Sequence, residues 1–378
     1  MIMPAELQQA DRTSVRFRER KLISFSGCDY FRLASHPSVL TAAGNAIGEI
    51  GLNVAASRRT TGDHRVYRQL ESELADFFHA PNARLVATGY AAPQVVAQAW
   101  AGRFSHVLID ERAHVALQDA SRFFDCPILR FRHRDPDALA QALKRIGPTM
   151  RPVVLTDGLF AFDGTIAPLR RYRSLLPRDS WIVVDDAHGA GVLGATGKGS
   201  LEAERVPRTA IVQCVTLSKA FGVYGGAVIG SKELCSQILQ ASALFAGSTP
   251  MPLPLAQAAR VAIRLLRAPA LRRRLQQNVA SVKQPLRQAG FDIPDTPAPI
   301  IPVVVSKRNQ AASLKRGLLA AGIYPPFLKY PGAPPEGYFR FVLSSEHSQA
   351  QLQTLVQTLT RWNANRRRSN KPGSSLRA

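Results

Sequence analysis

The 378-residue chain has no run of about 18 or more apolar residues, so a membrane-spanning helix is not expected. Its opening, MIMPAELQQADRTSVRFRERK, lacks the apolar stretch of a secretory signal. Cysteine is scarce: Cys28, Cys126, Cys214 and Cys235 form no CxxC or other metal-ligand spacing. That argues against a disulfide scaffold or a metal site, and for free thiols in a reducing cytoplasm. Acidic residues are also short, with 27 Asp and Glu against 49 Lys and Arg, a formal charge of +22. Much of the excess is arginine, in RRYR (170–173), LRRRLQQ (271–277) and the final RRRSNKPGSSLRA. Such a charge attracts polyanions, whether nucleic acid or a phosphate-bearing or acidic substrate carrier. No basic stretch is interleaved with aromatics as in single-strand binders, so nucleic acid is not the expected partner.

What the chain does have is a globular balance, 46% hydrophobic and 20% charged. Helical periodicity predicts helices over 37–50 and 66–79. Apolar segments then recur between polar or glycine punctuation: ARLVATG, HVLID, ILRFRH, PVVLTDG, WIVVDDAHG, IVQCVTLS and GGAVIG. Helical stretches at 92–102, 115–124 and 137–146 separate several of them. This alternation predicts an α/β fold with a mostly parallel sheet sandwiched by helices. A long helical stretch over 252–290 leads to a smaller C-terminal α/β region, with IIPVVV and YFRFVLS as strands and 346–362 as the last helix. The expected organisation is an N-terminal segment (1–40) packing with the small domain, a large domain (41–265), the small C-terminal domain (266–363), and a basic disordered tail (364–378).

In a parallel sheet, ligands bind beyond the carboxyl ends of the strands. Three apolar segments end there in reactive residues: Asp157 after VVL, Asp185 after IVV, and Lys219 after CVTLS. A buried carboxylate needs a partner. A pyridinium nitrogen would supply one for Asp185, and Lys219 would hold the cofactor aldehyde as an imine. A lysine and an aspartate so placed make a pyridoxal 5'-phosphate site.

The ordered landmarks SRRTTG with LESELADFF, ATGYAA, DERAH, TDGLFAFDGTIAPL, VVDDAHGAGVLGATGKGS, TLSKAFGVYGG and GSTPMPLP resemble the α-oxoamine synthases, within the fold type I pyridoxal-phosphate transferases. The resemblance covers most of the chain. It implies that Lys219 carries the cofactor and later shuttles the Cα proton of an amino acid. Asp185 would pair with the ring nitrogen, His188 with the ring hydroxyl, and His114 would stack on the ring. Gly89 and Tyr90 would open a phosphate-binding turn, joined by Thr216. Thr249 would come from a neighbouring subunit, implying a homodimer with shared sites. Arg340 would hold the amino-acid carboxylate, with Cys28 and Asp157 on the substrate side. The implied reaction condenses a small amino acid with an acyl thioester, on coenzyme A or an acyl carrier protein, and releases carbon dioxide.

The family pattern is not matched throughout. Cys28 stands for an asparagine, Tyr67 for a histidine, Ala161 for a serine, and Asp157 for a longer glutamate. These departures gather around the substrate, while the cofactor anchors are intact. The alternatives are a glycine C-acetyltransferase-like or signalling or secondary-metabolite aminoketone synthase, an aminotransferase on the same fold, and a non-catalytic basic binding protein.

Overall fold

The structure is a computed structural model that describes residues 6–329 and 334–369. It divides into two compact units: Met1–Arg32, Ala161–Gly164 and Arg273–Ala378 form the smaller, and Leu33–Phe160 with Thr165–Arg272 the larger.

The smaller unit begins with strands β1 (Gln8–Gln9), β2 (Ser14–Phe17) and β3 (Arg20–Ile23), an antiparallel meander absent from the sequence reading. The β2–β3 turn places Arg18 and Glu19 at φ 45° and 60°. Positive φ at both central positions is the geometry of a two-residue hairpin, normally signalled by Asn-Gly. Arginine and glutamate carry no such signal.

In the larger unit, helices α1 (Pro37–Ile50) and α2 (Arg65–Phe77) precede a seven-stranded sheet. Its strands are β4 (Asn82–Val86), β5 (His106–Asp110), β6 (Ile128–Phe131), β7 (Pro152–Asp157), β8 (Trp181–Asp185), β9 (Ile211–Thr216) and β10 (Gly226–Gly230), in the order β4-β10-β9-β8-β7-β5-β6. Five of them, β6, β5, β7, β8 and β9, run parallel. β10 is antiparallel to both its neighbours. The physical reason is length: only Leu217–Gly225 link β9 to β10, whereas a parallel crossover needs about a dozen residues or more.

Helices α3 (Ala91–Ala99), α4 (Val115–Ser121), α5 (Pro136–Ile146), α6 (Leu169–Leu175), α7 (Ser200–Ala203), α8 (Lys232–Ala241), α9 (Ala243–Gly247) and α10 (Leu253–Arg267) complete this unit. Alternate strand residues enter two separate cores. Val153, Leu155 and Val183 pack with α3 and α4, while Val154, Ile182 and Val184 pack with α5 and α6. Both faces of the sheet are therefore buried, which is why its strands read as continuous apolar runs.

Helix α11 (Pro269–Gln288) follows α10 after a break. Ala268, which precedes Pro269, is forced to an extended conformation (φ −69°, ψ 130°), splitting the single stretch expected over 252–290. Strands β11 (Ile300–Val304), β12 (Phe327–Leu328) and β13 (Tyr338–Val342) form an antiparallel sheet in the order β11-β13-β12, accompanied by α12 (Arg308–Ala320) and α13 (Gln349–Ser369). The expected tail is corrected here: its first residues, 364–369, are helical. No glycine or proline interrupts the chain before Pro372, and Arg367 donates to the Gly290 carbonyl at 3.0 Å. The rest of that tail lies outside the described residues. Among the described residues no helix is long and apolar enough to cross a membrane.

A buried ionic cluster ties α2 to β4. Arg58 donates to Glu71 (2.6 and 3.1 Å) and Asp63 (2.7 Å), its guanidinium lies 5.1 Å from the Tyr67 ring centroid, and Glu71 also accepts from the Leu85 N–H at 2.8 Å. Truncating one partner of such a pair strands the other charge away from water. Arg58→Ala is expected to cost about 3–5 kcal/mol in urea unfolding. Glu71→Gln in the same background should recover part of that loss, since it removes the stranded charge.

Candidate active site

The carboxyl ends of β7, β8 and β9 lie side by side. Asp157 pairs in register with Asp185, and Asp185 with Cys214. The β9–β10 hairpin then carries Lys219 just past the sheet. Its Nζ lies 2.9 Å from Nε2 of His188, in the turn that follows β8. Sheet topology thus brings together two residues 31 positions apart in the chain.

Asp185 is 7% exposed, and its Oδ1 accepts from the Ala187 N–H at 3.1 Å. Its Oδ2 makes no hydrogen bond among the described residues. Asp157 is buried and accepts the His114 N–H at 2.8 Å. Burial, then the adjacent Asp185 carboxylate, push Asp157 well above the usual carboxylate range. His114 caps α4, its Nδ1 accepting from the Ala116 N–H at 3.2 Å. Burial holds its imidazole below the ordinary histidine value, with Lys219 adding to the effect against Asp185. A neutral ring there can stack face-on against a planar aromatic group.

The turn after β4 meets Thr216 in close contact. A Cβ on Gly89 would sit 2.6 Å from Thr216 Cβ and 2.7 Å from its Oγ1, so only glycine fits. Tyr90 sits at the N-cap of α3 with no side-chain cap bond. The positive end of the α3 dipole and the Thr216 hydroxyl therefore face the same turn, an arrangement suited to a phosphate. Thr216 Oγ1 accepts from the Ser218 N–H at 3.2 Å and reaches the Gly225 carbonyl at 3.3 Å.

These residues fit pyridoxal phosphate on three observations: the glycine-only approach at Gly89, the open oxygen of buried Asp185, and the amine of Lys219 beside His188. The larger unit holds Gly89, Tyr90, His114, Asp157, Asp185, His188, Thr216, Lys219 and Thr249. Thr249 is exposed and makes no hydrogen bond among the described residues; with Arg58 and Tyr67 it lines a small cavity. Cys28 and Arg340 belong to the smaller unit. There Arg340 donates to the Ala161 carbonyl at 3.3 Å. Tyr30, wholly buried two residues from Cys28, has its phenol pushed up by burial and then by the Cys28 thiol.

Sequence reasoning missed Asp186 and Gln213. Asp186 is wholly buried, and its Oδ2 accepts from the Ser200 N–H (2.8 Å) and Gln213 Nε2 (2.6 Å), anchoring the loop that carries His188. The available signal was Gln213, a polar residue inside the apolar strand IVQCVT that had to find a partner.

The chain belongs to the family described as aminotransferase class I and II, whose model matches residues 20–359. Among its curated relatives are proteins named 8-amino-7-oxononanoate synthase. An 8-amino-7-oxononanoate synthase of Thioalkalivibrio sulfidiphilus is 38% identical, covering 90% of this chain and 88% of the relative. One of Methylococcus capsulatus is 36% identical, covering 89% and 88%. Among solved structures, a serine palmitoyltransferase of Sphingomonas wittichii superposes with a TM-score of 0.88 at 26% identity, covering 94% of this chain and 90% of that one. The serine palmitoyltransferase of S. paucimobilis with bound PLP gives 0.88 at 25% identity, covering 95% and 91%. An 8-amino-7-oxononanoate synthase of Francisella tularensis, with a TM-score of 0.78, 22% identity and coverage of 92% and 99%, shows the shared fold.

Burial raises the Asp186 carboxyl from the ordinary aspartate value to about 7. A group whose folded value is raised contributes stability below its unfolded value and loses it as pH climbs through the folded one. Wild-type stability should therefore fall between pH about 4 and about 7 on account of this residue. Asp186→Asn keeps both accepted hydrogen bonds and should flatten that slope in urea midpoints measured across the range. An unchanged slope would contradict the assignment.

Proposed function

We propose that this chain is a pyridoxal-phosphate-dependent acyltransferase of the α-oxoamine synthase type. It condenses a small amino acid with an acyl thioester and releases carbon dioxide and the thiol, taking up one proton. The observation that carries the reading is the Lys219–His188 pair beside Asp185, at the adjoining ends of β9 and β8. When bound, the cofactor supplies an electron sink that acidifies the Cα hydrogen of the amino acid.

The protein's own residues do the rest. Asp185 would hold the ring nitrogen protonated, His114 would pack against the ring, and the Gly89–Thr216 turn would take the phosphate. Lys219 Nζ removes the Cα proton and later returns one, with His188 Nε2 positioning the amine. Arg340 is assigned the amino-acid carboxylate by its place in YFRFVLS, for which a guanidinium fork is the matching donor. Thr249, without a hydrogen bond among the described residues, is assigned to a second copy of the chain in a homodimer.

The name of the curated relatives indicates the substrates. In 8-amino-7-oxononanoate, the amino carbon and terminal methyl are the skeleton of alanine without its carboxylate. The remainder is a dicarboxylic acyl chain joined through the ketone. Alanine and an acidic acyl thioester, on coenzyme A or a carrier protein, are thus the first substrates to try. All four cysteines are free, which suits a reducing cytoplasm.

Purified protein should be yellow, and Lys219→Ala should lose both product and the lysine-dependent absorption band. Mass spectrometry on alanine, glycine and serine with a panel of acyl thioesters should find an aminoketone, with free thiol and carbon dioxide in equal amounts. Amino transfer without thiol release would identify an aminotransferase instead.

A further inference from the structure

Four guanidiniums gather at the amino ends of the strands in the larger unit, the end remote from Lys219. Arg103 lies between α3 and β5, Arg151 just before β7, Arg173 on α6, and Arg178 just before β8. With Asp179 and Trp181 they line one cleft of about 480 Å³. That is within the range of small-molecule sites, about 300–1,000 Å³. Trp181 opens β8 and Asp185 closes it, so the cleft lies about 13 Å along the strand from the carboxyl-end site at about 3.3 Å per residue.

None of the four arginines forms an ion pair with a carboxylate among the described residues. Arg173 Nη1 is a buried nitrogen with no hydrogen-bond partner. Arg103 lies over the rings of Trp100 and Trp181, at 5.3 and 5.9 Å from their centroids. Asp179 is the one carboxylate lining the cleft. A guanidinium cannot shed its proton, so four of them converging on one concavity repel each other unless an anion lies between them. The planar fork matches phosphate oxygens in pairs.

We propose that this cleft is a second binding site, for a polyphosphate anion with two or three linked phosphates. The inference does not rest on the function proposed above. A concave cleft of this size encloses a short phosphate chain and excludes a nucleic-acid duplex, which needs an extended basic track. Trp181 in the wall provides a fluorescence signal for occupancy.

Cofactor-loaded protein is titrated with inorganic tripolyphosphate, ADP, inorganic diphosphate and a DNA duplex at about 150 mM salt, where exposed charges are screened beyond about 8 Å. Calorimetry should find one tripolyphosphate per chain, with quenching of tryptophan emission. Arg151 and Arg178 are exposed, so the double variant R151E/R178E should fold, and it should bind at least about tenfold more weakly. Asp179→Asn should bind more tightly, and Lys219→Ala equally well. Arg178→Gln, a milder change, should shift affinity in the same direction should the double variant unfold. ADP binding more tightly than diphosphate assigns the site to nucleotides, and equal binding assigns it to the bare phosphate chain; either supports the proposal. Absence of saturable binding, binding unmoved by the arginine variants, or tighter binding of the duplex would overturn it.

Discussion

The short link between β9 and β10 is the constraint on which the candidate site depends. Leu217–Gly225 are too few to cross the sheet, so the chain turns back and β10 returns antiparallel. The turn projects Lys219 beyond the carboxyl end of β9, where the loop after β8 presents His188. The same return sets β10 against β4, and so brings the turn after β4 onto Thr216. Gly226 and Gly89 meet there so closely that a Cβ on either would collide with the other strand's backbone or with Thr216. One hairpin therefore positions the amine, and two glycines admit the phosphate-sized turn next to it.

Charge at this end of the sheet is arranged by burial. Three carboxyl groups, Asp157, Asp185 and Asp186, are closely grouped and almost fully shielded from water. They cannot all be ionised at low cost. Asp157 is pushed well above the usual carboxylate range by burial and by its neighbour, and Asp186 is raised to about 7. Each has a backbone N–H to accept, from His114 and Ser200 respectively. Among the described residues Asp185 Oδ2 makes no hydrogen bond and the buried Asp186 Oδ1 has no partner either, and of these two aspartates it is Asp185 that ends β8. A cationic ring nitrogen would relieve the crowding, which ties the electrostatics of the fold to the chemistry of its cofactor.

Every strand of the large sheet was legible in the sequence; the central strands β5, β7, β8, β9 and β10 are buried on both faces and stand out as apolar runs, while the edge strand β6 is partly exposed. Asp185 and Lys219 were legible because they end such runs. The N-terminal meander was not: β2 and β3 are four residues each, and the turn between them uses arginine and glutamate in place of a glycine signal. The antiparallel direction of β10 was countable from the link length but not from its composition. Asp186 was hidden by its neighbour, since DDAH invites attention to one aspartate. The final helix outran its expected end because a run of arginines reads as a solvated tail while having good helix propensity.

The residues that depart from the family pattern are also distributed in a physically ordered way. Cys28 and Ala161 lie in the smaller unit with Arg340, whereas the residues that fit the cofactor lie in the larger one. Arg340 donates to the Ala161 carbonyl, and the buried Tyr30 phenol feels both the Cys28 thiol and the Arg340 charge. The departure at 161 is thus hydrogen-bonded to the Arg340 guanidinium, and the one at 28 shares the Tyr30 phenol with it. A serine at 161 would offer that region a hydroxyl, and an asparagine at 28 an amide; alanine and cysteine leave Arg340 with a backbone carbonyl and a less polar setting. A less solvated guanidinium binds a carboxylate more strongly and tolerates a neutral group less. The other two departures, Tyr67 and Asp157, lie in the larger unit, where the Tyr67 hydroxyl donates to the Met251 carbonyl at 2.6 Å.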